Sequence, residues 1–209
     1  MEAVQSRLEE KWNSLSHGLG ILLSIAGLVI LLLFDSDKTV LSRMSILFYA
    51  ISLILLYTSS TVYHALKDLK KKEIWRKLDH MSIYLLIAGT YTPVTLLTLE
   101  KSSGWIIFTV VWGLAIIGIL LKIFFTGKYE ILSLILYLFM GWLIVFDINN
   151  LIANTTANGL ILLMSGGAFY TIGVIFYAIR KIPFNHVIWH FFVLGGSISH
   201  YLFILYDVI

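Results

Sequence analysis

Six histidines are the residues of this sequence best suited to bind a metal ion, because the chain contains no cysteine. They are His17, His64, His80, His186, His190 and His200. His186 and His190, in the stretch H-V-I-W-H, are four residues apart, so on a helix their rings lie on one face, one turn apart. Two imidazoles need this spacing to share one ion. The alternative interpretation is a pair of polar residues at a membrane interface.

The composition of the chain predicts that these histidines are held by a helical membrane protein. Hydrophobic residues make up 59% of the sequence and charged residues 13%, against about 45–50% and about 25% in soluble domains. The apolar residues form runs of about 18–23 residues, long enough for helices that cross about 30 Å of hydrocarbon. We therefore expect an all-α, multi-pass protein of the cell membrane. Its net charge of +3 is explained by membrane topology and anionic lipid, without nucleic acid as a partner.

Seven membrane spans are predicted within one transmembrane domain of residues 1–209. The spans are His17–Phe34, Met44–Leu66, Met81–Leu99, Trp105–Lys122, Ile131–Ile148, Leu160–Ile179 and Val187–Tyr206. A short polar segment, residues 1–16, precedes the first span. Glycines in the last two spans are expected to let helices pack closely. They are Gly166, Gly167, Gly173, Gly195 and Gly196.

The distribution of basic residues predicts the orientation of the chain. With seven spans, twelve of the 15 Lys and Arg residues fall on the side of the membrane that carries the N-terminus. Short loops rich in Lys and Arg stay in the cytoplasm. We therefore expect a cytoplasmic N-terminus and a C-terminus outside the cell.

This topology places polar side chains from four distant segments at one membrane depth, near the cytoplasmic surface. Span two ends there, span three begins there, and spans one and seven begin there as well. The side chains are Glu10, Asn13 and His17 at span one, Ser60 and His64 at span two, Asp79 at span three, and His186 and His190 at span seven. Polar residues inside the membrane are costly, so such a cluster indicates a functional site.

Three imidazoles and a water form a tetrahedral zinc site with one open position, the arrangement of catalytic zinc. His64, His186 and His190 are the predicted Zn²⁺ ligands. Asp79 is then placed to hold the catalytic water or to accept its proton. Ser60 is predicted to orient His64 or a bound carbonyl, the alternative being a hydrogen bond to its own helix backbone.

Together these motifs resemble the hemolysin III family, which belongs with the progestin and adiponectin receptor superfamily and more distantly with alkaline ceramidases. The motifs are E-x-x-N-x-x-x-H at Glu10–His17, S-x-x-x-H at Ser60–His64, Asp79 at the start of span three, and H-x-x-x-H at His186–His190. The resemblance covers nearly the whole chain. It implies a seven-helix fold, a zinc ion held by the three histidines, and an aspartate near the catalytic water.

Three functions are compatible with these residues. The first is a zinc-dependent hydrolase that cleaves an amide or ester bond of a membrane lipid at the inner leaflet. The second is a non-enzymatic sensor or regulator of membrane lipid, in which zinc is structural. The third is a hemolysin-like pore, favoured by the family name alone. Membrane lipid is thus the expected substrate or ligand, and the sequence leaves the oligomeric state open.

The other three histidines are assigned different roles. His17 is expected to close the helix bundle rather than to bind metal. His80 points away from its neighbour Asp79 and is expected in a loop or at the membrane interface. His200 lies ten residues beyond His190, about 15 Å deeper at the helical rise, too far to share the same ion. It is expected to line a cavity.

Overall fold

The computed structural model describes residues 5–36 and 38–209, and all regular secondary structure in these residues is helical. Seven helical stretches among them are long and apolar enough to cross a membrane. They are Arg7–Phe34, Val40–Ala65, Leu69–Thr98, Gly104–Phe125, Glu130–Ala153, Ala157–Ala178 and Asn185–Val208. The predicted all-α fold with seven membrane helices is confirmed. Residues 1–4 of the predicted N-terminal segment lie outside the described residues.

The helices are numbered in chain order. They are α1 Arg7–Phe34, α2 Val40–Ala65, α3 Leu69–Pro93, α4 Gly104–Phe125, α5 Glu130–Gly141, α6 Ile148–Ala153, α7 Ala157–Ala178 and α8 Asn185–Phe203. Two π-helical turns, Val94–Thr98 and Ile204–Val208, extend α3 and α8. A 3-10 turn, Leu143–Asp147, joins α5 to α6.

Helix α1 begins at Arg7, well before the predicted start of the first span at His17. Ser6 and Glu9 form a capping box, in which the Ser6 hydroxyl accepts from the Glu9 backbone N–H at 3.2 Å and the Glu9 carboxylate accepts from the Ser6 N–H at 2.7 Å. This reciprocal pair satisfies backbone donors at the helix start. The helix therefore includes polar turns that an apolar window omits.

Helix α3 also begins earlier than predicted, at Leu69 rather than at Met81. The Asp68 side chain accepts from the backbone N–H of Lys71 at 3.0 Å and caps the first turn. The basic stretch after Asp68 is therefore helical.

The fifth span is interrupted where one continuous helix, Ile131–Ile148, was predicted. Helix α5 ends at Gly141, and the Tyr91 hydroxyl enters the break. It donates to the Gly141 carbonyl at 2.8 Å and accepts from the Ile144 N–H at 2.9 Å. The Tyr91 hydroxyl replaces the backbone partners of these two groups. The chain can therefore change direction after α5 without leaving the Gly141 carbonyl or the Ile144 N–H unpaired.

Helices α2 and α3 form the centre of the bundle. About 61% of the most apolar part of α3 and 50% of that of α2 are buried, against 17% of that of α7. Gly20 and Gly118 are among the glycines that require close approach, because a Cβ on Gly20 would collide with the Tyr57 ring and one on Gly118 with the Tyr84 ring. Large apolar side chains on the outside of the bundle are exposed, as expected for a lipid-facing surface. They include Leu22, Leu33, Phe124, Ile131 and Phe146.

Candidate metal centre

Three histidines meet at the end of the bundle where α1, α3 and α8 begin and α2 ends, called the amino end below. His64 lies in the last turn of α2, and His186 and His190 lie at the start of α8. One ligand nitrogen from each ring lies within 4.8 Å of the other two. Nitrogens bound to a tetrahedral zinc at about 2.0–2.1 Å are about 3.4 Å apart. Small rotations of the three rings would therefore complete a site of the predicted composition.

The outer nitrogen of His64 is held by a carboxylate from α1. His64 Nδ1 lies 2.7 Å from Glu10 Oε2, and Glu10 Oε1 accepts from Lys72 Nζ at 2.6 Å. An ionised carboxylate only accepts, so Nδ1 carries the hydrogen, and in the neutral ring the lone pair is on Nε2. Nε2 is buried and has no hydrogen-bond partner among the described residues. A histidine that ligates a metal typically has this arrangement.

The orientation of His190 is fixed in the same way by α1. Its Nδ1 lies 3.2 Å from the Asn13 carbonyl oxygen and 3.4 Å from the Ser16 hydroxyl oxygen. A carbonyl oxygen can only accept, so Nδ1 donates and Nε2 keeps its lone pair. Helix α1 therefore supplies outer partners to two of the three histidines, one from α2 and one from α8. The donor set fits a divalent ion that prefers neutral imidazole, such as zinc.

Asp79 and Ser60 lie near the three histidines without joining them. Asp79 is buried on α3, and its Oδ2 lies 3.4 Å from Nδ1 of His80. In the described part of the chain, the group that could hold a metal does not include Asp79. Ser60 is buried and its hydroxyl has no hydrogen-bond partner within the described residues, so it does not bond the backbone of α2. Both side chains face the same cavity as His186 and His190.

The sequence of the chain matches a known protein family. Residues 5–201 match the model of a family described as Haemolysin-III related. The chain belongs to the hemolysin III family. The resemblance predicted from the four motifs is thereby confirmed, and the protein is a multi-pass protein of the cell membrane.

Relatives of this hemolysin III protein occur in bacteria and animals. The chain is 44% identical to hemolysin-3 of Bacillus cereus over 202 aligned residues, and the alignment covers 96% of this chain and 92% of that protein. It is 43% identical over 199 residues to a hemolysin-3 homolog of Bacillus subtilis (strain 168), covering 95% and 93%. The human monocyte to macrophage differentiation factor is 30% identical over 206 residues, covering 92% and 82%.

The hemolysin III protein has a cavity of about 120 Å³ beside the three histidines. Its wall includes Asp79 and Ser60, and most of the remaining lining is apolar. Gly141 and Trp142 line the cavity and are also exposed on the outside of the bundle. These two residues therefore lie between the cavity and the membrane-facing surface at the break that follows α5.

One predicted close-packing glycine faces this cavity instead. An added Cβ on Gly167 would have no atom within 4 Å, so the prediction of close helix packing is wrong there. The prediction holds at three other glycines. An added Cβ would collide with His200 at Gly166 and with Tyr170 at Gly196. At Gly173 it would collide with Trp189 and Phe192.

The remaining histidines differ in how they match their predictions. His80 was predicted to point away from Asp79 and to lie in a loop or at the interface, which is wrong: it is buried in α3, and its Nδ1 lies 2.8 Å from the Arg76 carbonyl oxygen and 3.4 Å from Asp79 Oδ2. It is buried because α3 starts at Leu69, so the residue falls within the packed helix. His200 lines the cavity, as predicted. His17 is buried within the bundle, stacked on His190 with 3.7 Å between ring centroids.

Two contacts at the centre were not predicted from the sequence, that of Glu10 with His64 and that of Lys72 with Glu10. The shared face of Glu10, Asn13 and His17 was recognised, but the contact of Glu10 with His64 was not. That contact could have been predicted from the common membrane depth of Glu10 and His64. Lys72 lies in a run of three lysines, Lys70–Lys72, and no pattern distinguishes the one that reaches Glu10.

Proposed function

We propose that this protein is a zinc-dependent hydrolase that cleaves an amide or ester bond of a membrane lipid. The observation that carries the proposal is the convergence of three imidazole nitrogens beside a mostly apolar cavity that also contains a buried carboxylate. The family membership supports a membrane protein of this kind but does not by itself supply an activity.

His64, His186 and His190 would hold the ion. Three protein ligands leave a fourth tetrahedral position open, as in catalytic zinc sites. Zinc, when bound, polarises a carbonyl group and lowers the pKa of a coordinated water to about 7. Glu10 and the Asn13 carbonyl keep the outer nitrogens of His64 and His190 protonated, so the inner nitrogens stay available to the metal.

Asp79 and Ser60 are assigned the proton transfer and the binding of the carbonyl. Asp79 accepts a proton from the attacking water, whose oxygen bonds to the carbonyl carbon. The C–N or C–O bond breaks, and the proton passes from Asp79 to the leaving nitrogen or oxygen. The products are a fatty acid and an amine or alcohol. The Ser60 hydroxyl, which has no protein partner among the described residues, donates to the carbonyl oxygen.

The cavity and its position favour a lipid as the substrate. Its lining is mostly apolar, and Trp142, which lines the cavity and is also exposed to the lipid, marks the place where an acyl chain would enter from the bilayer. The polar bond then lies at the amino end, near headgroup depth. The excess of Lys and Arg on that side supports the cytoplasmic leaflet as the source of the lipid.

A structural role for zinc is the second candidate. The contacts of Glu10 with His64 and of Asn13 with His190 tie α1, α2 and α8 together, as expected of a metal that fastens the bundle. In that case the protein would sense or regulate membrane lipid without hydrolysing it. The pore function rests only on the name of the Bacillus cereus relative.

Fatty acid release separates these candidates. Purified protein loaded with zinc is reconstituted in liposomes that contain an N-acyl lipid and a self-quenched dye. The hydrolase releases free fatty acid, and a chelator abolishes the release while the dye stays trapped. A pore releases dye without fatty acid. A structural zinc protein releases neither.

A further inference from the structure

His17 is a buried side chain whose ring nitrogens satisfy no other protein group in the described chain. It is 3% exposed, and neither Nδ1 nor Nε2 has a hydrogen-bond partner among the described residues. Buried polar atoms are nearly always paired, so an imidazole with two unpaired nitrogens requires an explanation. A ring that only packs the bundle would be replaced by an apolar side chain at lower cost.

As the rings lie in the structure, His17 is not a further ligand of the same ion. The His17 and His190 rings are stacked, with 3.7 Å between centroids and 15° between planes. A metal lies in the plane of an imidazole that binds it, at about 2.0–2.1 Å from the nitrogen. Because the two ring planes are nearly parallel and 3.7 Å apart, no single metal position lies in both planes at that distance from a nitrogen of each ring. The group of residues able to hold an ion accordingly contains His190 without His17.

His17 nevertheless lies where a group bound next to the ion would be found. It lines the same cavity as Ser60 and Asp79, and Tyr57 packs against its edge with 5.0 Å between ring centroids. In a neutral imidazole one nitrogen donates and the other accepts. The cavity wall thus offers a ring N–H from α1 in addition to the Ser60 hydroxyl from α2.

We propose that His17 is a catalytic residue whose ring N–H binds the carbonyl oxygen of the lipid. This inference rests on the proposed function, because it assumes a carbonyl ligand in the cavity. A second donor matters for hydrolysis because the carbonyl oxygen gains negative charge as water adds. Fixed donors at such an oxygen commonly contribute about 10²–10³-fold to kcat.

A ligand that cannot be hydrolysed tests the binding role independently of turnover. The ligand is hexadecyl methyl ketone, and octadecane is the matching alkane without the carbonyl. In zinc-loaded wild-type protein the ketone should bind more tightly than the alkane. His17→Leu should remove about tenfold of this preference, the loss expected for one hydrogen bond. The zinc content should stay at the wild-type level, since His17 is not a ligand.

Two conservative variants keep the test informative if the leucine variant folds poorly. Asn places its amide near the position of Nδ1, and Gln near that of Nε2. Either His17→Asn or His17→Gln should restore the ketone preference, and the successful variant identifies the donating nitrogen. Gly113→Leu, on the outer face of α4 where an added Cβ meets no atom within 4 Å, is the control and should leave the preference unchanged.

The outcomes separate this inference from the proposed hydrolysis. Loss of the ketone preference in His17→Leu together with about 100-fold slower lipid hydrolysis supports both. Loss of the preference in a protein that hydrolyses no lipid supports the carbonyl site and contradicts the hydrolase. A full ketone preference in His17→Leu, or loss of zinc from all three His17 variants, overturns the inference.

Discussion

Glu10 joins the buried His64 ring to a basic side chain at the amino end of the bundle. One carboxylate oxygen lies 2.7 Å from His64 Nδ1, and the other lies 2.6 Å from Lys72 Nζ. The His64 side chain is fully buried, whereas those of Glu10 and Lys72 are 24% and 20% exposed. A partly exposed carboxylate is therefore hydrogen-bonded to one predicted ligand and fixes the tautomer of that ring.

Glu10→Gln should weaken zinc binding by about 10–100-fold, the usual effect of losing an outer partner of a ligating histidine. The amide keeps the size of the side chain but removes the negative charge that holds Nδ1–H. Competition with a chromogenic chelator measures the zinc Kd. Glu73→Gln, which removes an exposed acidic group of α3, is the control. Equal zinc affinity in the two variants would show that Glu10 does not support His64.

Replacing any one of His64, His186 and His190 with Ala should sharply reduce bound zinc. Two imidazoles cannot complete a three-histidine site. Metal analysis of the purified variants gives the zinc content per chain. His200→Ala is the control and should keep zinc, because His200 lies about 15 Å deeper along α8. Zinc retained in all three ligand variants would rule out this metal centre.

Gly167→Leu should block the lipid cavity without disturbing the bundle. An added Cβ at Gly167 meets no atom within 4 Å, so the new side chain extends into the cavity. We expect a higher KM for a long-chain lipid and an unchanged zinc content. Gly113→Leu adds the same side chain to the outer surface of α4 and should leave KM unchanged. An unaltered KM in Gly167→Leu would mean that lipid does not enter this cavity.

A reporter domain fused after Ile209 should be active only outside the cytoplasm. This follows from seven spans and from the excess of basic residues on the side that carries the N-terminus. The same reporter at the N-terminus should give the opposite result. A cytoplasmic C-terminus would place the metal centre in the outer leaflet.

The number of membrane helices was predictable because each span is a long apolar run whose length is set by the bilayer. The residues at which the helices begin were harder to predict from the sequence. Ser6 and Asp68 extend α1 and α3 through polar turns that hydropathy does not register. The break at Gly141 depends on the Tyr91 hydroxyl from another helix, a contact that no local pattern specifies.

The juxtaposition of His64 with His186 and His190 was predictable from spacing combined with topology. The i, i+4 spacing places the rings of His186 and His190 on one face of a helix. An odd number of spans places the end of span two and the start of span seven, and so all three histidines, at one end of the bundle. The contacts of Glu10, Lys72 and His17 depend on helix rotation and side-chain rotamers. A single sequence does not encode these in any pattern of residue types. The shape of the cavity, including the open space at Gly167, has the same origin.

The most direct test of the proposed hydrolase compares wild type with Asp79→Asn, both loaded with zinc. Asn keeps the size of the side chain but cannot accept the proton of the attacking water. Free fatty acid released from an N-acyl lipid is measured beside the zinc content of each protein. The account predicts release by the wild type, near-stoichiometric zinc in both proteins, and a large loss of release in Asp79→Asn. Equal release by the two proteins, or loss of zinc from Asp79→Asn as complete as in the histidine variants, would contradict it.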